Sequence, residues 1–228
     1  MNPLSPTRLL VPTAATGALM ATYLLLRPYG DGGGSTTPAA AEAFASPWWV
    51  LAHVCGGLSL AAFGWLALAV SDLTEGRAGR LARWAGPAGV VLVLPYYGAE
   101  TYGLQAVGAR AVVGDPTALA LVEQIRNQPV GLTLFALGLL LLAVSGVATA
   151  LACQRAGLTS PAWAAWPLGI GVALVLPQFF LPSSGRVVFG LAYALAATVL
   201  IVAVLRSRRT MLASTEPALA RGRAAVAG

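Results

Sequence analysis

"GVVLVLPYYGAETYGLQAV", residues 89–107, has the length and oiliness of a membrane-spanning segment, yet it carries one carboxylate, Glu100, among Tyr96, Tyr97 and Tyr102. If this stretch spans a bilayer, the chain is a bundle of helices in lipid; if it does not, the acid is an ordinary surface group. Composition decides the matter. The 228 residues are 57% hydrophobic and 10% charged, with a mean hydropathy of +0.76, whereas soluble domains carry about 25% charged residues. The sequence therefore predicts an all-α, polytopic membrane protein.

A span needs roughly 20 apolar residues. Six segments qualify at about residues 9–26, 48–70, 86–107, 129–151, 161–181 and 186–205. They form a single six-helix transmembrane domain over residues 1–205, followed by a disordered basic tail over 206–228. The first span follows Arg8 but has no A-x-A cleavage pattern near its end, so it reads as a retained helix rather than a signal peptide. A Gly- and Pro-rich loop joins spans one and two, and Asp115-Pro116 opens an interfacial helix at about 116–126.

All 14 basic residues are Arg. With both termini in the cytoplasm, ten arginines fall on that side and four (Arg27, Arg110, Arg126 and Arg186) on the other. That split follows the positive-inside rule and gives a multi-pass cell-membrane protein with cytoplasmic termini. The arginines anchor beside lipid headgroups, and no nucleic-acid partner is expected. Without Lys, no Schiff base can form on a side-chain amine. Cys55 and Cys153 fall near opposite faces and read as small buried hydrophobes.

This topology puts His53, Glu100, Gln178 and Arg186 in one half of the membrane, with Glu123, Arg126 and Gln128 in the adjoining loop. The opposite halves of spans four to six are plain Leu, Ala, Val and Gly. A charge near the bilayer centre costs about 2.5–3.5 kcal/mol on insertion scales and normally faces the bundle interior or a watery cavity. Burial disfavours the charged form of a carboxyl, which makes Glu100 a candidate proton donor. Tyr96 and Tyr97 lie four and three residues before it and can share its helical face. Trp48, Trp49, Phe179 and Phe180 lie at similar depth, with Trp48 and Trp49 in an outer aromatic belt. Ring faces attract cations, so an acid among rings in an oily wall suits chemistry on a hydrocarbon cation.

Structural readings stand beside the functional ones. Glu100 can pair with Arg186 or Arg126 as a buried bridge, His53 can be a hydrogen-bonded packing residue, and Glu123 with Arg126 can be a solvated helix pair. A bis-His haem would need a second His, and the aspartates Asp31, Asp72 and Asp115 all fall in loops. No zinc spacing, Gly-rich phosphate loop or acidic metal–diphosphate motif is present, so neither a metal nor a cofactor is expected.

Small size, several apolar helices and "PYYGAETYGLQA" at residues 95–106 resemble the integral membrane terpene cyclases. The likeness is strongest to the actinobacterial drimentine-type enzymes of indole sesquiterpenoid biosynthesis, and more distant to the fungal meroterpenoid cyclases. The resemblance implies an isomerase-type reaction in which a farnesyl chain is protonated and closes to a drimane bicycle. It implies a lipophilic prenylated indole as substrate, made by a prenyltransferase and delivered through membrane lipid. Glu100 matches the family's membrane acid, and Glu123, His53 or a tyrosine would take the second catalytic role. Tyr96, Tyr97 and Tyr102 would flank the cation; Trp48, Trp49, Phe179 and Phe180 would shape the pocket; Gln178 and Arg186 would orient Glu100. A non-catalytic carrier or helical partner subunit is the competing class.

Overall fold

The computed structural model describes residues 6–226, with side chains described from 6 to 209. The fold is all-helical. A 3-10 turn (Pro6–Leu9) leads into α1 (Leu10–Leu26), followed by α2 (Pro38–Ala45), α3 (Pro47–Leu73) and α4 (Arg77–Gly98). A π-turn (Ala99–Gly103) joins α4 to α5 (Leu104–Val112). Then come a 3-10 turn (Pro116–Leu119), α6 (Ala120–Arg126), α7 (Pro129–Arg155), α8 (Trp166–Ala173), α9 (Val175–Gln178) and α10 (Ser183–Val226).

Four helical segments are long and apolar enough to cross a membrane: Pro6–Leu26, Pro47–Leu73, Pro129–Arg155 and Ser183–Arg209. The third expected span falls outside this set: its helix starts earlier than expected, at Arg77, and ends at Gly98, where the π-turn begins. The fifth is broken into two short helices at Leu174, just before Pro177. The last helix runs past the expected boundary at Leu205 to Val226. The Gly-rich connection between α1 and α3 is more structured than expected. Thr37 accepts a hydrogen bond from the Ala40 amide and Pro38 sits at the first helical position, so α2 starts where sequence rules would start a helix.

Among the described residues two large cores organise the fold, beside a small cluster of Ala67, Ala82 and Ala148. The larger runs between α1, α3, α4, α7, α8 and α10, with Leu24, Leu60, Phe63, Leu142 and Tyr193 buried. The smaller one is a cap over one end, where Ala40, Phe44 and Trp49 pack on Leu104, Leu119 and Val122. Gly108 lets α5 reach α2, since a Cβ there would stand 2.5 Å from that of Phe44. In lipid, close helix packing rests on small residues more than on hydrophobic burial. Gly89 and Gly138 supply it for α4 and α7: a Cβ on Gly89 would stand 2.7 Å from the Gly138 carbonyl oxygen.

That contact generates a pair of expectations. Gly89→Val should destabilise the bundle by about 1–3 kcal/mol through overpacking. Gly98→Ala, whose Cβ meets nothing within 4 Å, should leave stability unchanged or slightly raised. Thermal unfolding in detergent, followed by size-exclusion chromatography, separates the two outcomes.

Candidate functional site

The site lies under the cap and is built around Glu100. Pro95 has no amide hydrogen, so one hydrogen bond of α4 is missing a turn before Glu100. The chain then adopts the π-turn that carries the acid, a distortion often found at functional positions. The Trp49 indole donates to the Glu100 backbone carbonyl at 3.2 Å and fixes that turn against α3.

Four charged side chains meet here. Arg126, at the end of α6, donates from Nε and Nη2 to Glu100 Oε1 at 3.1 and 2.9 Å. The same Nη2 donates to Asp31 Oδ2 at 2.9 Å. Arg27, just past α1, donates to that aspartate oxygen at 2.8 Å. The two guanidiniums also lie over rings, Arg27 over Trp49 at 4.9 Å and Arg126 over Phe44 at 5.4 Å. Each cation thus has carboxylate on one side and an aromatic face on another, a geometry that a planar guanidinium suits better than an ammonium. Tyr96 closes the ring by donating its hydroxyl to the Arg126 carbonyl at 3.2 Å. Burial alone would push the Asp31 carboxyl upward, but Arg27 and Arg126 outweigh it and hold it below the ordinary carboxylate value.

Glu100 and this cluster border a cavity of about 280 Å³ whose other walls are Tyr23, Tyr96, Leu132, Phe135, Leu176 and Phe179. Tyr96 stacks on Phe135 with ring centres 4.5 Å apart, and Phe179 meets Phe135 edge-on at 5.7 Å. His53 also borders the chamber. Its Nδ1 lies 2.7 Å from the Trp49 carbonyl. A carbonyl only accepts, so Nδ1 carries the hydrogen, and in the neutral ring Nε2 holds the lone pair.

The expected residues divide sharply. Glu100, His53, Tyr96, Phe179, Phe180 and Arg186 all border the chamber, as expected from their depth. Glu123 does not: it is exposed, accepts hydrogen bonds from Ser35 at 2.7 Å and Asn127 at 2.8 Å, and is no partner of Glu100. Arg186 does not pair with Glu100 either. It donates to the Phe179 and Leu181 carbonyls at 2.6 and 3.0 Å and braces the turn between α9 and α10. Trp48 is exposed, whereas Trp49 is fully buried behind the cluster, so Trp49 is no belt residue. Tyr97 and Tyr102 border a separate groove of about 280 Å³ between α3 and α4, and Tyr102 is 61% exposed. Gln178 is buried with no hydrogen-bond partner on Oε1 and lies outside the chamber walls. Cys55 and Cys153 are both free and buried.

Sequence reasoning missed Asp31, Arg27 and Phe135. Asp31 sits in a Gly-rich loop, and only the i, i+4 spacing of Arg27 and Asp31 hinted that the loop folds back as an ion pair. Phe135 lies in an unbroken apolar helix and carries no polar signal. Compared with protein-family models, curated proteins and solved structures, the chain matches none.

The held carboxylate has a pH consequence. Because the folded-state pKa of Asp31 is lowered, its ionised form stabilises the fold above the unfolded carboxylate value of about 3.9, and that contribution is lost as pH falls through the folded value. Asp31→Asn should therefore be less stable at pH 7 by about 1–3 kcal/mol, seen as a lower unfolding temperature, and should lose less further stability between pH 5 and pH 3. Thermal unfolding of both proteins across that range checks the sign.

Proposed function

We propose that this chain is a membrane-embedded terpene cyclase that protonates a lipophilic prenyl chain and closes it into rings. The observation that carries the reading is the chamber itself: an acid, Glu100, at one wall of an otherwise aromatic and aliphatic cavity among the helices. The cavity has a volume of about 280 Å³, and each methylene of a chain that enters it gains about 0.8 kcal/mol on leaving water.

In this reading Glu100 delivers a proton to the terminal alkene carbon. The new C–H bond leaves a tertiary cation, neighbouring double bonds close on it, and loss of a proton from the final cation restores neutrality. The product is an isomer of the substrate, with one ring gained for each double bond lost. Both Arg126 bonds fall on Oε1, which leaves Oε2 as the oxygen from which the proton is passed in turnover. Tyr96, Phe135 and Phe179 face the cation, for which ring faces supply about 0.5–2 kcal/mol each. His53, with its Nε2 lone pair, is the terminating base. A farnesylated indole is the substrate that the sequence resemblance favours.

The same reading takes α4 with its π-turn and the α8–α9 pair as two further crossings, giving six spans with cytoplasmic termini. The arginines at the start of α4 then lie at the cytoplasmic headgroups, and the chamber lies toward the outer leaflet. The prenyl chain enters sideways from lipid. One observation favours a second reading, a carrier or partner subunit: the Glu100–Arg126 pair is the arrangement of a structural bridge.

Turnover separates the readings. Purified protein offered a farnesylated indole should yield a product of unchanged mass with fewer double bonds, and Glu100→Gln should lower that rate by about 10²–10⁴ while the protein still inserts and unfolds cooperatively. Wild-type turnover in Glu100→Gln would remove Glu100 from the mechanism, and absence of any product from the native protein would favour the carrier.

A further inference from the structure

Beside the chamber lies a second cavity of about 620 Å³, bordered by Arg27, Arg126, Arg186, Asp31, Gly32 and Ser183 among others. The two cavities share Arg27, Asp31, Arg126 and Arg186, so they lie side by side with the charged cluster as their common wall. Three guanidiniums and one carboxylate border this vestibule. Even with Glu100 counted from the inner side, cations outnumber anions three to two. The surplus is Arg186, which bonds two backbone carbonyls and, among the described residues, no carboxylate.

The vestibule also takes in the start of α10 at Ser183. The first amides of a helix have no partner within it and favour an anion. On the opposite side Gly32 and Gly33 contribute no side chains, and a Cβ at either would meet nothing within 4 Å. The room there is therefore space left open rather than filled by flexible groups.

We propose that the vestibule binds a phosphate head, so that the chain filling the chamber belongs to a phosphate-bearing amphiphile rather than to the uncharged farnesylated indole that the sequence resemblance favours. Arginine forks match phosphate oxygens two at a time, and such charge-assisted bonds are roughly twice as strong as neutral ones. Arg186 can turn toward the anion by exchanging its bonds to the Phe179 and Leu181 carbonyls, without dismantling an ion pair. The head is held while the chain reacts or is carried, so no phosphate bond is made or broken. This inference rests on the proposed function only in placing the chain in the chamber, and it holds equally for a cyclase and for a carrier.

The test is equilibrium binding to the full chain in nonionic detergent, with farnesyl monophosphate, farnesol and inorganic phosphate as probes. Native protein should bind farnesyl monophosphate about ten-fold or more tightly than farnesol. Gly32→Asp places a carboxylate in open vestibule space and should abolish that preference while farnesol binding stays unchanged. Gly32→Asn, of the same shape without the charge, should keep it. Short-chain phosphatidylglycerol is the competitor that identifies the source. Displacement of the prenyl phosphate at similar concentration supports the site with a membrane-lipid head as its natural occupant; failure to displace supports it with a free prenyl phosphate. Equal affinity of the native protein for farnesyl monophosphate and farnesol overturns the proposal, as does a preference that survives Gly32→Asp. Either result leaves the turnover assay of Glu100→Gln untouched, so the two readings fail separately.

Discussion

One side chain, Arg126, joins the parts of this molecule that would otherwise be independent. Its guanidinium bonds the Gly-rich loop through Asp31 and the π-turn through Glu100, and its backbone carbonyl accepts from Tyr96. Removing either acid would leave a half-buried cation short of a partner, and losing one member of such a pair is far more damaging than replacing the whole pair with apolar groups. The cluster is therefore better understood as fixing geometry than as supplying net stability. It sets where the cap sits, and the cap sets where the chamber ends.

The surroundings make that arrangement tolerable. Trp49 and Phe44, packed edge to face at 4.8 Å, present ring faces to the two guanidiniums and keep lipid away from them. Gly56 does the complementary work on α3: a Cβ there would stand 3.0 Å from the Tyr23 ring and 3.1 Å from that of Tyr97. Both tyrosines can then pack beside His53, whose ring centre is 5.3 Å from that of Tyr23. Small residues bring helices together at Gly89, Gly138 and Gly108, while Gly56 makes space for rings. The result is a polar cavity and an oilier one on either side of the charged cluster.

Much of the fold was legible because lipid imposes simple rules. Long apolar runs fixed the helices of residues 9–26, 48–70, 129–151 and 186–205, and Asp115-Pro116 marked the turn that precedes α6. Depth along the six expected spans was enough to gather Glu100, His53, Tyr96 and Phe179. Hydropathy could not reveal the cap, because α2 is a short Ala-rich helix inside a loop whose docking depends on Phe44 and Gly108. It could not sort Trp48 from Trp49, adjacent residues that point in different directions at the start of α3. Nor could it choose between Glu123 and Asp31. Glu123 shares a helix with Arg126 but faces Ser35 and water, whereas Asp31 is distant in sequence and reaches the cluster only through the folding of its loop.

The account stands on the claim that a prenyl chain occupies the space between Glu100 and Phe135, inside the bundle. Photoaffinity labelling with a farnesyl chain bearing a diazirine near its terminal carbon, followed by peptide mass spectrometry, measures that occupancy directly. The account predicts adducts on the chamber walls, at Phe135, Leu176 and Phe179, that an unlabelled chain competes away. Adducts confined to outward-facing positions of the same helix, such as Leu140 and Val144, which are 53% and 43% exposed, would place the chain in surrounding lipid and contradict it.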